Sequence, residues 1–99
     1  MRIVITGAQG QLGTELRQVL RGHQLTALDL PDFDLTNPDC GATIVTAAPE
    51  VVIHAGAHTD VDGAERNPAL AMAVNADGTE RVARAAAQVG ARLIYISTD

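Results

Sequence analysis

Aromatic residues make up only 2% of this 99-residue chain: one Phe, one Tyr and no Trp. The core must therefore be built from Ala, Val, Ile and Leu, small aliphatic side chains that suit close packing of helices on a sheet. The single cysteine, Cys40, cannot form an internal disulfide and fits a reducing compartment. Lys and Arg number 7 against 12 Asp and Glu, for a formal net charge of −5, and the cations nowhere cluster. That balance argues against a nucleic-acid partner. No apolar run approaches the ~18 residues that a membrane span requires. The first residues enter a strand pattern directly, without a charged-then-apolar leader. These absences predict one soluble, cytoplasmic domain with no membrane association, and a hydrophobic content of 46% is enough to give it a core.

What is present is organised around residues 2–13. The apolar run Ile3-Val4-Ile5 leads into Gly7, Gly10 and Gly13, and Leu12, Leu16, Val19 and Leu20 then recur at helical spacing. The pattern is strand, glycine turn, helix. A helix N-terminus carries unpaired N–H groups and partial positive charge, which attract phosphate. Gly7 permits the turn out of the strand. Gly10 has no Cβ to hold a pyrophosphate away from the backbone, and Gly13 lets helix and strand approach closely. The spacing G-x-x-G-x-x-G is one residue longer in its first interval than the G-x-G-x-x-G dinucleotide fingerprint.

Further along, the first helix is expected over residues 10–21, and Leu25-Thr26-Ala27-Leu28 forms a second strand ending at Asp29. Asp34-Leu35 reads as a very short edge strand. Asn37-Pro38 reads as N-cap and first residue of a second helix reaching Ala47. Val51-Val52-Ile53-His54 is a continuous apolar strand of the kind found where both sheet faces are covered. Asn67-Pro68 repeats the cap-plus-proline start, opening a long helix closed by Gly90. Asn75-Ala76-Asp77-Gly78 has turn composition, yet the apolar stripe through Val74 and Val82 stays in phase across it, which favours one unbroken helix. Residues 92–97 are the last strand. Strands alternating with helices predict an α/β fold, a Rossmann-type doubly wound parallel sheet of order 3-2-1-4-5 with right-handed crossovers.

In such a sheet the ligand lies beyond the carboxyl ends of the strands, where the strand order reverses. Gly7, Gly10, Gln11, Leu12 and Gly13 line one side of that crevice, and Ala55, Gly56 and Ala57 the other. Asp29 stands near the ~20-residue separation at which an acidic residue meets the adenine ribose 2′-OH. Its charge disfavours a 2′-phosphate, which leans towards NADH over NADPH. Asp34 either meets the adenine or caps a turn. Thr98, with Ser97 as competitor, ends a central strand at the ligand edge, where a hydroxyl can hydrogen-bond a carbonyl oxygen that gains negative charge; the alternative is that both satisfy local backbone groups. His54 and His58 are separated by a loop with no third ligand nearby, so no metal site is expected.

These residues resemble a known family. Thr6-Gly7-Ala8-Gln9-Gly10-Gln11-Leu12-Gly13 resembles the glycine motif of the extended short-chain dehydrogenase/reductases, and Asp34-Leu35-Thr36-Asn37 their acidic third strand. The run Ala55-Gly56-Ala57-His58-Thr59-Asp60-Val61-Asp62-Gly63-Ala64-Glu65 is similar to the A-A-H-T-x-V-D-x-A-E stretch of the dTDP-4-dehydrorhamnose reductases, and Asn75 and Ser97-Thr98-Asp99 agree as well. The resemblance covers the whole chain. It implies that residues 1–99 are an NAD(P)-binding Rossmann domain, the N-terminal part of a longer enzyme. Gly10, Gln11 and Leu12 would cradle the pyrophosphate, Asp29 would meet the ribose, and Asp34 and Leu35 the adenine. Gly56, Ala57 and His58 would line the ribose and nicotinamide side, and Thr98 would be the catalytic hydroxyl. The implied reaction is reduction of dTDP-4-dehydro-L-rhamnose to dTDP-L-rhamnose by NADPH or NADH, with a dTDP-sugar as small-molecule partner and a homo-oligomer as a further option.

Two departures from the family pattern stand out. His54 occupies a position where the family commonly has Asn. The family's Tyr-x-x-x-Lys pair, in which the tyrosine donates a proton and the lysine lowers its pKa, is absent: Tyr95 is the only tyrosine, and the chain has no lysine. The alternatives are a non-catalytic binding or regulatory protein of the same fold, or another sugar-nucleotide epimerase or dehydratase.

Overall fold

The computed structural model describes residues 1–29, 32–55 and 68–96. In chain order the elements are β1 (Arg2–Thr6), α1 (Gln11–Val19), β2 (Gln24–Leu28), α2 (Gly41–Ala47), β3 (Val51–His54), α3 (Pro68–Gln88) and β4 (Arg92–Tyr95). The four strands form one parallel sheet in the order β2-β1-β3-β4. This is a Rossmann-like architecture and a truncated form of the expected order. β1 and β3 occupy the centre, so their rim of C-terminal ends is where the order reverses.

The alternation of side chains along β1 and β3 sorts the core into two layers. Ile3, Ile5 and Ile53 pack with Ala8, Leu16 and Leu20 on the α1 side. Val4 and Val52 pack with Ile44, Val82, Ala85 and Ala86 on the side of α2 and α3. Burying each such aliphatic side chain contributes roughly 1.5–3 kcal/mol, and the central strands carry apolar residues on both faces because both faces are covered. The two helices of the second layer meet through small residues: a Cβ on Gly41 would stand 3.2 Å from that of Ala85.

Asp34-Leu35 is not a strand. The Asp34 Oδ1 atom accepts from the Thr36 N–H at 2.9 Å and from the Thr36 hydroxyl at 2.8 Å. A local Asx-type turn of this kind takes the backbone away from the extended conformation a ladder needs. Helix α2 begins at Gly41 rather than Pro38. Asn37 Oδ1 still accepts from Asp39 N–H, but the Cys40, Ala42 and Thr43 N–H groups each bond three residues back, so the entry winds more tightly than an α-helix. Helix α1 ends at Val19, two residues short of the expected limit, with Leu20 as C-cap.

Helix α3 runs unbroken through Asn75-Ala76-Asp77-Gly78, and packing explains its glycine. A Cβ at Gly78 would lie 2.7 Å from the Leu35 Cβ, and Leu35 is buried. The Arg81 guanidinium donates to the Leu35 carbonyl at 2.6 Å, closing the same contact. Gly90, at φ 70°, ends the helix in the left-handed conformation. Among the described residues no helix is long and apolar enough to cross a membrane.

Candidate functional site

The glycine turn leaves β1 at Thr6. Gly7 takes φ 69°, a left-handed conformation that glycine adopts without penalty, and its carbonyl accepts from Gly10 N–H at 3.1 Å. Two bonds then tie the turn sideways to β2: Ala8 N–H donates to the Leu28 carbonyl at 3.3 Å, and Gln9 N–H to Asp29 Oδ2 at 2.8 Å. Helix α1 starts at once, with Gly10 as N-cap at φ −70°, ψ 172°. No side chain caps it and no acidic residue sits in its first turn. The positive end of the helix therefore meets no negative charge from its own first turn.

The three glycines are not equivalent. A Cβ on Gly13 would meet the Gly7 carbonyl oxygen at 2.2 Å and the Ala8 backbone at 2.7 and 2.9 Å, so the protein's own helix-on-turn packing demands glycine there. A Cβ on Gly10 would meet only the Gly7 oxygen, at 3.4 Å. The interior places almost no demand on Gly10, and the space it leaves open faces outward, beside exposed Gln9 and Gln11. A backbone kept bare at the exposed, uncapped start of a helix fits a phosphate-bearing ligand.

Leu12 is half-buried and Gly13 buried at that helix start. Asp29 lies at the end of β2 against the glycine turn. Asp34 holds the turn that follows, which is the capping alternative. The Leu35 side chain belongs to the core over Gly78, and its carbonyl is taken by Arg81. The Ala55 N–H, just past the end of β3, donates to the Thr6 carbonyl at 3.2 Å. Gly56, Ala57, His58 and Thr98, with Ser97 and Asp99, lie outside the described residues.

Sequence reading missed the network at the rim. Thr6 and His54 are register partners on β1 and β3, and both are 1% exposed. Thr6 Oγ1 and His54 Nδ1 are hydrogen-bonded at 2.5 Å, and His54 Nε2 and Thr79 Oγ1 of α3 at 3.2 Å. The Tyr95 ring on β4 packs beside the imidazole, centroids 5.4 Å apart. Burial pushes the His54 pKa below its ordinary value, which favours the neutral ring, one nitrogen donating and the other accepting. The departure from Asn at position 54 was the one signal for this network. Cys40, by contrast, is a core residue whose thiol burial pushes up in pKa, against an opposing pull from Arg81; a thiol so placed is inert. Among the described residues, no three His, Cys, Asp or Glu come together as metal ligands. A groove of about 430 Å³ between α2 and α3 shares no residue with the glycine turn.

A family model described as RmlD substrate binding domain matches residues 1–99. The dTDP-4-dehydrorhamnose reductase of Mycobacterium tuberculosis is 50% identical over 100 residues, which cover 99% of this chain and 33% of that protein. An Escherichia coli protein of the same name is 43% identical over 105 residues, covering 100% and 35%. Among solved structures, dTDP-4-dehydrorhamnose reductase from Bacillus anthracis in complex with NADP is similar with a TM-score of 0.84 at 40% identity, covering 97% of this chain and 36% of that one. UDP-glucose 4-epimerase from Thermus thermophilus, complexed with NAD, reaches 0.82 at 26% identity, covering 99% and 38%. The chain spans about a third of the length of the curated relatives it matches.

Proposed function

This chain belongs to the RmlD substrate binding domain family, and from that premise we propose that residues 1–99 form the cofactor-binding part of an NAD(P)H-dependent oxidoreductase. The reaction is reduction of dTDP-4-dehydro-L-rhamnose to dTDP-L-rhamnose. The observation that carries the cofactor half of this reading is the contrast between Gly13, which internal packing requires, and Gly10, which it does not. The identity to reductases of that name carries the substrate half.

In this reading Gly7, Gly10, Gln11, Leu12 and Gly13 hold the pyrophosphate through backbone N–H groups and the helix dipole. Asp29 faces the adenine ribose, and the turn of Asp34 and Leu35 bounds the adenine. Ala55, Gly56, Ala57 and His58 line the ribose and nicotinamide side. The bound reduced nicotinamide, NADPH or NADH, supplies the hydride. The Thr98 hydroxyl donates a hydrogen bond to the sugar's 4-keto oxygen as negative charge grows on it. The proton donor and its lysine are supplied by residues outside these 99, so the 99-residue chain alone binds the dinucleotide weakly and does not turn over.

The test is to give the complete gene product dTDP-4-dehydro-L-rhamnose and NADPH, and to follow reduced-nicotinamide loss and product formation together. Stoichiometric appearance of dTDP-L-rhamnose supports the reading. Redox-neutral interconversion of a nucleotide hexose, with no net loss of NADPH, would move the protein to the epimerases.

A further inference from the structure

The end of β2 continues onto the glycine turn by two successive steps. The register of β1 and β2 closes at Thr6 and Leu28. Ala8 N–H then donates to the Leu28 carbonyl, and Gln9 N–H to Asp29 Oδ2 at 2.8 Å. A side-chain oxygen thus takes the place of a strand acceptor and adds one rung beyond the ladder. Gln9 is exposed, so its N–H would bond to water without this carboxylate. The bond is charge-assisted, the stronger class of hydrogen bond. It fixes the peptide between Ala8 and Gln9, directly before the Gly10 N-cap and the helix start where the pyrophosphate is to lie.

We propose that Asp29 is a positioning residue that latches the glycine turn in the ligand-free protein, through Gln9 N–H, and so presets the pyrophosphate cradle for NADH and NADPH alike. This rests on the dinucleotide reading above and changes what Asp29 contributes to it. A carboxylate that acts only on the ribose discriminates between the two cofactors: its removal weakens NADH and relieves repulsion on the 2′-phosphate of NADPH. A latch acts before either ribose is read, so its removal weakens both.

The experiment compares the complete gene product carrying Asp29, Asp29→Asn and Asp29→Ala by two measurements. Amide hydrogen exchange without cofactor reads the latch itself. Gln9 N–H is expected to be protected in the wild type and in Asp29→Asn, which keeps an acceptor. In Asp29→Ala it exchanges about tenfold faster, a loss matching one hydrogen bond to a charged group, while Ile5 N–H in β1 stays unchanged. Calorimetric titration with NADH and NADPH reads the consequence: Asp29→Ala raises both dissociation constants about tenfold, and Asp29→Asn restores most of the loss. Tighter NADPH binding by Asp29→Ala, or equal Gln9 exchange in all three proteins, overturns the latch. If Asp29→Ala does not fold, intrinsic-rate exchange at Gln9 in the wild type overturns it on its own. A wild type that binds neither dinucleotide, with Gln9 protected, overturns the cofactor reading and the latch's role in it, whereas discrimination confined to NADH overturns the latch and leaves that reading intact.

Discussion

Thr6 Oγ1 and His54 Nδ1 stand 2.5 Å apart across the β1–β3 pair, both side chains 1% exposed. The register places the two residues side by side at the C-terminal rim of the sheet, where the glycine turn leaves β1. His54 also reaches Thr79 of α3, so one imidazole joins two strands and a helix directly behind the candidate site.

This arrangement gives stability a definite pH dependence. Burial lowers the folded-state pKa of His54 below its ordinary 6.5. The unfolded chain therefore binds more protons in that range, and stability rises with pH. The contribution is fully present above the unfolded value, begins to be lost as pH falls below 6.5, and goes on falling towards the folded pKa. Urea midpoints of the wild type should drop on acidification from neutral pH, and His54→Asn, which keeps one donor and one acceptor, should flatten that slope. His54→Ala should cost about 2–3 kcal/mol at neutral pH, from a cavity and hydroxyls stripped of a partner.

Gly10 and Gly13 should respond oppositely to alanine. Gly13→Ala drives a Cβ to 2.2 Å from the Gly7 carbonyl and should cost about 3 kcal/mol or more, as severe overpacking does. Gly10→Ala should cost about 1 kcal/mol or less, the scale of a poorer N-cap, yet weaken dinucleotide binding about tenfold. Chemical denaturation and cofactor titration of the two variants separate the effects.

Gly78→Ala should destabilise although alanine is the better helix former by ~1 kcal/mol. Its Cβ would meet Leu35 at 2.7 Å, and a net loss of about 1–3 kcal/mol is expected. Leu35→Gly in the same chain, which removes the Cβ that the new methyl meets, should recover part of that loss. A double-mutant cycle on denaturation midpoints measures the coupling, and strict additivity would refute the contact.

Among the described residues β4 is an edge strand, with Ile94 44% and Tyr95 52% exposed. Unpaired, partly apolar edges recruit other strands. Prepared as a separate 99-residue polypeptide, the chain should self-associate at high concentration, and Ile94→Lys should reduce the association seen by light scattering.

The glycine turn and the long third helix were legible because their signals are local. Ile3-Val4-Ile5 before Gly7 gives the strand and turn, and an apolar stripe in phase through Val74 and Val82 outweighs the turn composition of 75–78. Asp34 was misread as part of a strand because its choice was between a ladder and its own backbone. The bonds to Thr36 are made two residues away and need no partner strand. Leu35 follows the same turn into the core, a placement that depends on Gly78 of α3 beside it and so has no local signal.

Most of the elements and the doubly wound parallel architecture follow from sequence alone, since periodicity, glycine and capping act over a few residues; the edge strand expected at Asp34-Leu35 does not form. Tertiary structure alone decided why Gly78 is glycine, how His54 is satisfied and what Asp29 holds. Those answers rest on Leu35, Thr6 with Thr79, and Gln9, residues 20 to 48 positions away in every one of these pairs. Strand pairing together with the packing of helices and the glycine turn on the sheet brings them within hydrogen-bonding or van der Waals reach.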